Sequence, residues 1–141
     1  MASIRTMLSA LAFAACAATA ASLLAKGTSA AGHCSIDDRA NMLKAGGGYS
    51  DGSFPSMCAA CGHSSWGLFS GFNKDTYVDC LVGKANLTAG CANCFAGAGQ
   101  YGYSHCKWSC MFSWSSSGCL SCEMPYNSTL VECVGFQPPQ A

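Results

Sequence analysis

The sequence predicts a mainly α-helical single domain stapled by disulfides, and three observations carry that expectation. Eleven of the twelve cysteines lie after residue 31 in a chain of 141 residues, a density that belongs to small disulfide scaffolds. Many recur at a spacing of three, which places both sulfurs on one face of a helix but on opposite faces of a strand. Helix start and stop signals bracket the segments that carry them.

Taken in order, residues 1–31 read as a secretory signal peptide. Met1-Ala2-Ser3-Ile4-Arg5 bears one positive charge, the run from Met7 to Ala25 is apolar, and Lys26-Gly27-Thr28-Ser29 closes it ahead of Ala30-Ala31-Gly32. A basic head, an apolar middle and a small-residue exit are what the signal peptidase route requires. Cleavage is expected near Gly32, with Ala18-Thr19-Ala20 as a second point. A retained anchor and a lipoprotein-like box at Phe13-Ala14-Ala15-Cys16 are the alternatives. The first is weakened by the alanine content of the run, the second by its missing leucine. Beyond the leader no stretch approaches the roughly 18 apolar residues that span a bilayer, so no membrane span is expected after cleavage.

Residues 32–136 form the expected cysteine-rich domain. Ser35 and Asp38 resemble a capping box before a helix from Ile36 to Ala45, and Gly46-Gly47-Gly48 ends it. Gly46 to Pro55 reads as a surface excursion, and Gly62 to Gly71, with Trp66, Leu68 and Phe69, as a packed irregular loop. Asn73 caps Lys74 to Ala85, where Tyr77, Cys80 and Leu81 share a face. Thr88 caps a helix from Ala89 to about Gly97, Ser104 starts the piece with Cys106 and Cys110, and Ser117 the piece from Gly118 to Cys122. Pro125 interrupts that last helix and Ser128 restarts it toward Val134. Residues 137–141 are expected to fray.

Charge narrows the function. After the leader, Arg39, Lys44, Lys74, Lys84 and Lys107 stand against seven acidic residues. That balance excludes a basic face for tracking phosphates, hence no nucleic acid is expected, and it argues against a cationic membrane-lytic peptide. Asn86-Leu87-Thr88 and Asn127-Ser128-Thr129 are glycosylation acceptor triplets. Signal, cysteines and triplets agree on an oxidising export route and a secreted, extracellular protein.

The cysteines form three loose units. Cys58-x2-Cys61, Cys91-x2-Cys94 and Cys119-x2-Cys122 are each followed by a further cysteine, at Cys80, Cys106 and Cys133, with Cys34 and Cys110 as extras. All eleven are read as a disulfide framework with one thiol left over. In Cys91-x2-Cys94-x11-Cys106-x3-Cys110, two antiparallel helices would match first with last, as Cys91–Cys110 and Cys94–Cys106, with the chain reversing through Gly97-Ala98-Gly99. Cys122 should then reach Cys133 or a neighbouring unit. The spare thiol is expected among Cys34, Cys58, Cys61 and Cys80, or at Cys119. Tetrahedral zinc on Cys91, Cys94, Cys106 and Cys110 is the rival reading. Thioredoxin-like redox centres are disfavoured because no βαβ pattern surrounds the pairs.

No catalytic site is expected. His33, His63 and His105 lie beside cysteines, but adjacency in sequence is not a catalytic geometry. Asp37, Asp38, Asp51, Asp75 and Asp79 read as solvated helix and turn residues. Trp108, Phe112 and Trp114 read as core with one exposed member; exposed together they would form an apolar contact patch.

The stretch from Cys91 to Cys110 resembles the α-hairpinin peptides, which join two helices by paired disulfides, although its first spacing departs from their C-x3-C. A wider pattern, Phe72-Asn73-Lys74-Asp75 through Tyr77 and Cys80, then Leu87-Thr88-x2-Cys91-x2-Cys94-Phe95 and the later pairs, is similar to uncharacterised cysteine-rich secreted proteins of unicellular eukaryotes such as dinoflagellates. In those a further cysteine tends to follow about seven residues on. Here that neighbourhood reads Gln100-Tyr101-Gly102, and a lost partner there would account for the odd count. Neither resemblance implies an activity. The expected function is a non-enzymatic extracellular interaction or cell-surface structural module with an unknown extracellular or surface partner and no cofactor. The alternative is a small-molecule or metal-binding protein.

Overall fold

The computed structural model describes residues 32–141; the expected signal peptide over 1–31, with Ala18-Thr19-Ala20 and Cys16, lies outside the described residues. The domain is mainly α, as the cysteine spacing predicts. Its helices are α1 (Ile36–Ala45), α2 (Phe54–Ser65), α3 (Lys74–Ala85), α4 (Ala89–His105), α5 (Lys107–Cys110), α6 (Ser117–Glu123) and α7 (Asn127–Val134). A single 3-10 turn, Met124–Tyr126, joins α6 to α7 where Pro125 forbids a continuous helix. Trp66–Gly67 and Gly71–Phe72 form a minimal antiparallel hairpin between α2 and α3.

The start signals act as the sequence implies. Ser35 and Asp38 close a full capping box on α1, Asn73 caps α3, and Thr88 caps α4. Ser116, one residue before the expected Ser117, caps α6. In each case a side-chain oxygen accepts from a backbone N–H of the first turn that has no helical partner. The boundaries of α2 differ at both ends. The segment from Gly46 is loop only to Ser53, because Phe54 opens α2 and is buried in the core. The expected loop at Gly62 is still helix, and α2 runs on to Ser65.

Helix α4 is the axis of the fold and packs against α3, α7, α5 and α6. It runs straight through Gly97-Ala98-Gly99, where the sequence suggests a reversal, and Ser104 lies inside it rather than starting a new helix. Each interior glycine costs up to about 1 kcal/mol relative to alanine, and packing offsets that cost here. Ala92 and Ala96 are fully buried. A methyl group on Gly99 would overlap the Phe72 ring, one on Gly97 the Tyr126 hydroxyl, and one on Gly102 the Glu123 carboxyl. The small residues therefore let neighbours approach the helix closely; they do not turn the chain.

The consequence for the cysteines is geometric. At about 1.5 Å per residue, Cys94 and Cys106 are separated along one helix by roughly 18 Å, far beyond the roughly 7 Å between Cα atoms that a bridge permits. The expected Cys91–Cys110 and Cys94–Cys106 rungs do not form. Instead Cys91 joins Cys34 and Cys94 joins Cys133, so α4 is tied to the segment before α1 and to α7. Cys61 joins Cys80 between α2 and α3. The ladder appears one unit later: Cys106 pairs with Cys122 and Cys110 with Cys119, first with last, across α5 and α6. Cys122 thus reaches a neighbouring unit and not Cys133. Cys58, expected within the disulfide framework, is the free cysteine among the described residues, inside the region where the spare thiol is expected.

Two cores follow from this wiring. The larger gathers Met42, Phe54, Leu81, Phe95 and Val134 around the Cys34–Cys91, Cys61–Cys80 and Cys94–Cys133 bridges. The smaller is almost all sulfur, with Cys106, Cys110 and Cys119 backed by Tyr101 and Cys122. Cys91 and Cys94 sit in the first core, Cys106 and Cys110 in the second, so the four-cysteine zinc site has no geometric basis. The last five residues pack back: Pro138 is buried, and the Gln140 carbonyl accepts from the Gly48 amide at 2.8 Å.

Candidate functional site: an aromatic cleft with one carboxyl

A cavity of about 410 Å³ opens where α2, α4, α6 and the tail meet, within the size range of small-molecule sites. Elements distant in sequence supply its walls. Phe54 and Phe95 meet edge to face with ring centroids 5.0 Å apart. Trp114, from the loop between α5 and α6, stacks on Phe72 at 6.1 Å, and Phe72 in turn leans on Tyr77 at 5.4 Å. Tyr49 and Tyr126 complete the aromatic lining. The packing of Phe72 against Gly99 sets the position of Trp114, so the small residues of α4 shape the cleft as well as the core.

Among the polar groups of this wall, Cys58, Tyr77 and Glu123 are the most strongly affected by burial. Burial pushes the Cys58 thiol up to about 12, against a hydrogen bond from Tyr77 that acts the other way. Burial likewise raises Tyr77 well above the ordinary tyrosine value, with the neighbouring Cys58 adding to it. Cys58 is therefore a thiol at neutral pH and a poor nucleophile, since the thiolate is the reactive species. Glu123 is the one acidic residue, Asp or Glu, of the lining, and burial alone pushes its side-chain carboxyl up to about 7. Its Oε1 lies 3.8 Å from Cys110 Sγ.

Two further clusters bring ligand-type atoms within 4.8 Å of one another: Cys34, Asp38 and Cys91, and Cys110, Cys119 and Glu123. In each the two sulfurs are bonded to each other, and a disulfide offers no thiolate to a metal. Asp38 is not the solvated residue that the sequence suggests. It is 1 % exposed and accepts from the Ser35 amide and hydroxyl, both at 2.8 Å, and from the Thr88 amide at 2.6 Å and hydroxyl at 2.9 Å. Burial by itself would raise its pKa; these bonds, led by the Thr88 amide, outweigh burial and hold it below 3.8. One carboxylate thus joins the start of α1 to the start of α4.

The remaining residues singled out by sequence are dispersed. His33, His63 and His105 are exposed, and His105 stacks on Tyr101 at 4.3 Å. Each C-x2-C motif is divided between partners: Cys58 is free while Cys61 joins Cys80, Cys91 and Cys94 diverge, and Cys119 and Cys122 go to different rungs. None is an internal redox disulfide. Trp108 and Phe112 are 75 % and 87 % exposed, so two of the three late aromatics face outward where one was expected. Asn86 and Asn127 are both exposed, Asn86 in the left-handed conformation that ends α3.

Sequence reasoning missed Tyr49, Phe54 and Glu123. Tyr49 and Phe54 lie in the stretch whose glycines and serines read as loop. Glu123 carried a usable signal: it is a lone acid in Leu120-Ser121-Cys122-Glu123-Met124-Pro125-Tyr126, where an apolar and sulfur-rich setting implies a carboxyl against a packed surface. No known family model matches the chain, and no curated protein or solved structure is significantly similar to it. The class defined by fold and site is thus a small disulfide-rich α-helical domain with an aromatic cleft.

Proposed function

We propose that this domain is an exported module that binds a small, mainly apolar molecule in the cleft between α2, α4 and α6. The observation that carries the reading is the cleft itself, about 410 Å³ lined largely by aromatic and aliphatic side chains. Keeping so many apolar side chains around an open cleft in so small a domain forgoes burial that would otherwise stabilise it. Five disulfides offset such a loss by restricting the unfolded chain. Small-molecule binding thereby replaces a purely structural or partner-docking role as the leading function.

Export rests on the leader pattern and on the number of disulfides, which persist in oxidising compartments. The exposure of Asn86 and Asn127 supports both as glycan sites. No helix among the described residues is long and apolar enough to cross a membrane. A non-catalytic role is supported by the Cys58 thiol, kept protonated by burial, and by the exposure of His33, His63 and His105.

Nile red, a neutral apolar fluorophore, tests the cleft. Saturable binding of one dye per chain is expected, and Ala98→Trp, which fills the lining from α4, should weaken it at least about tenfold with far-UV circular dichroism unchanged. Dye binding that ignores a folded Ala98→Trp protein would place the dye outside the cleft and remove the basis of the proposal.

A metal-binding reading is favoured by the two ligand-type clusters, and it requires their bridges to be reduced. Elemental analysis separates the two readings. The protein is expected to carry no stoichiometric zinc; zinc retained together with free thiols at Cys34 and Cys91 or at Cys110 and Cys119 would give the metal reading precedence.

A further inference from the structure

We infer that the cleft selects a ligand with one protonated amine on an apolar body, the ammonium group meeting Glu123 and the body lying among Tyr49, Trp114 and Tyr126. The inference rests on the cleft reading above and adds the chemical class of the ligand.

The lining contains no Lys, Arg or His, and Glu123 is its one side chain that can carry a full charge near neutrality. Burial pushes that carboxyl up to about 7 with no cation acting against it. Every other group that senses its charge is an uncharged acid of the same cleft: Tyr49, Cys58 and Tyr77. The carboxyl packs on Gly102 of α4, where any larger residue would displace it, and on the Cys110–Cys119 bridge. A carboxyl set in an apolar wall without a counter-ion is unusual, because its desolvation is uncompensated.

An ammonium group supplies the missing compensation. It favours the ionised carboxyl, and in a partly desolvated cleft their attraction exceeds that between exposed charges. The aromatic faces add cation–π stabilisation, strongest for tryptophan. A carboxylate ligand would meet Glu123 as a like charge, and a neutral ligand would gain only a hydrogen bond. The order of affinity should therefore be amine, then alcohol, then acid on one common body.

Titration calorimetry with 3-phenylpropylamine, 3-phenylpropanol and 3-phenylpropionate at pH 7 tests that order on the oxidised protein. The amine is expected to bind about tenfold more tightly than the alcohol, with the acid weakest. In Glu123→Gln the amine and the alcohol should bind within about twofold of each other, the alcohol itself being little changed. The ranking in the unsubstituted protein stands as a test even where Glu123→Gln fails to fold. An alcohol that binds as well as the amine overturns this inference and leaves the cleft reading standing. Failure of all three probes, together with failure of Nile red, overturns both.

Discussion

Replacing Cys34 and Cys91 together by alanine is expected to lower the unfolding free energy by about 4 kcal/mol. The bridge spans 57 positions of sequence, and the chain-entropy description assigns larger stabilisation to longer closures. It also sits at the joint on which the helices converge. Cys34 precedes α1, Cys91 lies in the first turn of α4, and both are almost fully buried. Removing the Cys110–Cys119 bridge, which spans only 9 positions, should cost about 3 kcal/mol by the same relation. Urea denaturation of the two double variants measures the difference. Equal losses, or a larger loss at the shorter closure, would show that local strain and packing outweigh loop entropy in this domain.

Asp38→Ala should cost about 3 kcal/mol, as much as truncating a large buried side chain of the core. It removes the acceptor for two backbone amides and two hydroxyls at once and opens the capping box of α1. Asp38→Asn keeps an uncharged acceptor and should cost less. The sign of the pH dependence follows from the lowered pKa of Asp38. A carboxylate whose folded pKa lies below its unfolded value stabilises the fold fully above the unfolded value. That stabilisation is lost as pH falls through the folded one. The gap between the natural protein and Asp38→Asn should therefore be constant at neutral pH and shrink once pH falls below about 3.8. A gap unaltered by acid would mean that Asp38 contributes shape and not charge. Because Asp38 and the Cys34–Cys91 bridge fasten the same two helices, the combined variant should lose less than the sum of its parts.

Local signals were legible because they act over three or four residues. Ser35, Asn73 and Thr88 cap the helices that their sequence neighbours imply, and Pro125 breaks the chain where a ring on the backbone nitrogen must. First-with-last pairing on facing helices was also sound as geometry, but it is realised by Cys106, Cys110, Cys119 and Cys122. What misdirected it was Gly97-Ala98-Gly99. Glycine serves equally as a turn residue and as the smallest packing surface, and only the presence of Phe72 and Tyr126 against α4 distinguishes the two uses.

By itself, then, the sequence determined the helical class, the caps, the reliance on disulfides and the neighbourhood of the spare thiol. Each of these depends on composition or on spacing within a turn or two of helix. Only the tertiary structure decided which cysteines pair, that Asp38 joins α1 to α4, and that Tyr49, Phe54, Trp114 and Glu123 surround one cleft. Those outcomes depend on which faces meet across up to 57 residues of chain, for instance Cys94 with Cys133 at a separation of 39 and Cys34 with Cys91 at 57. Contacts of that range are set by the joint packing of all the helices around α4, and no local pattern of residues encodes them.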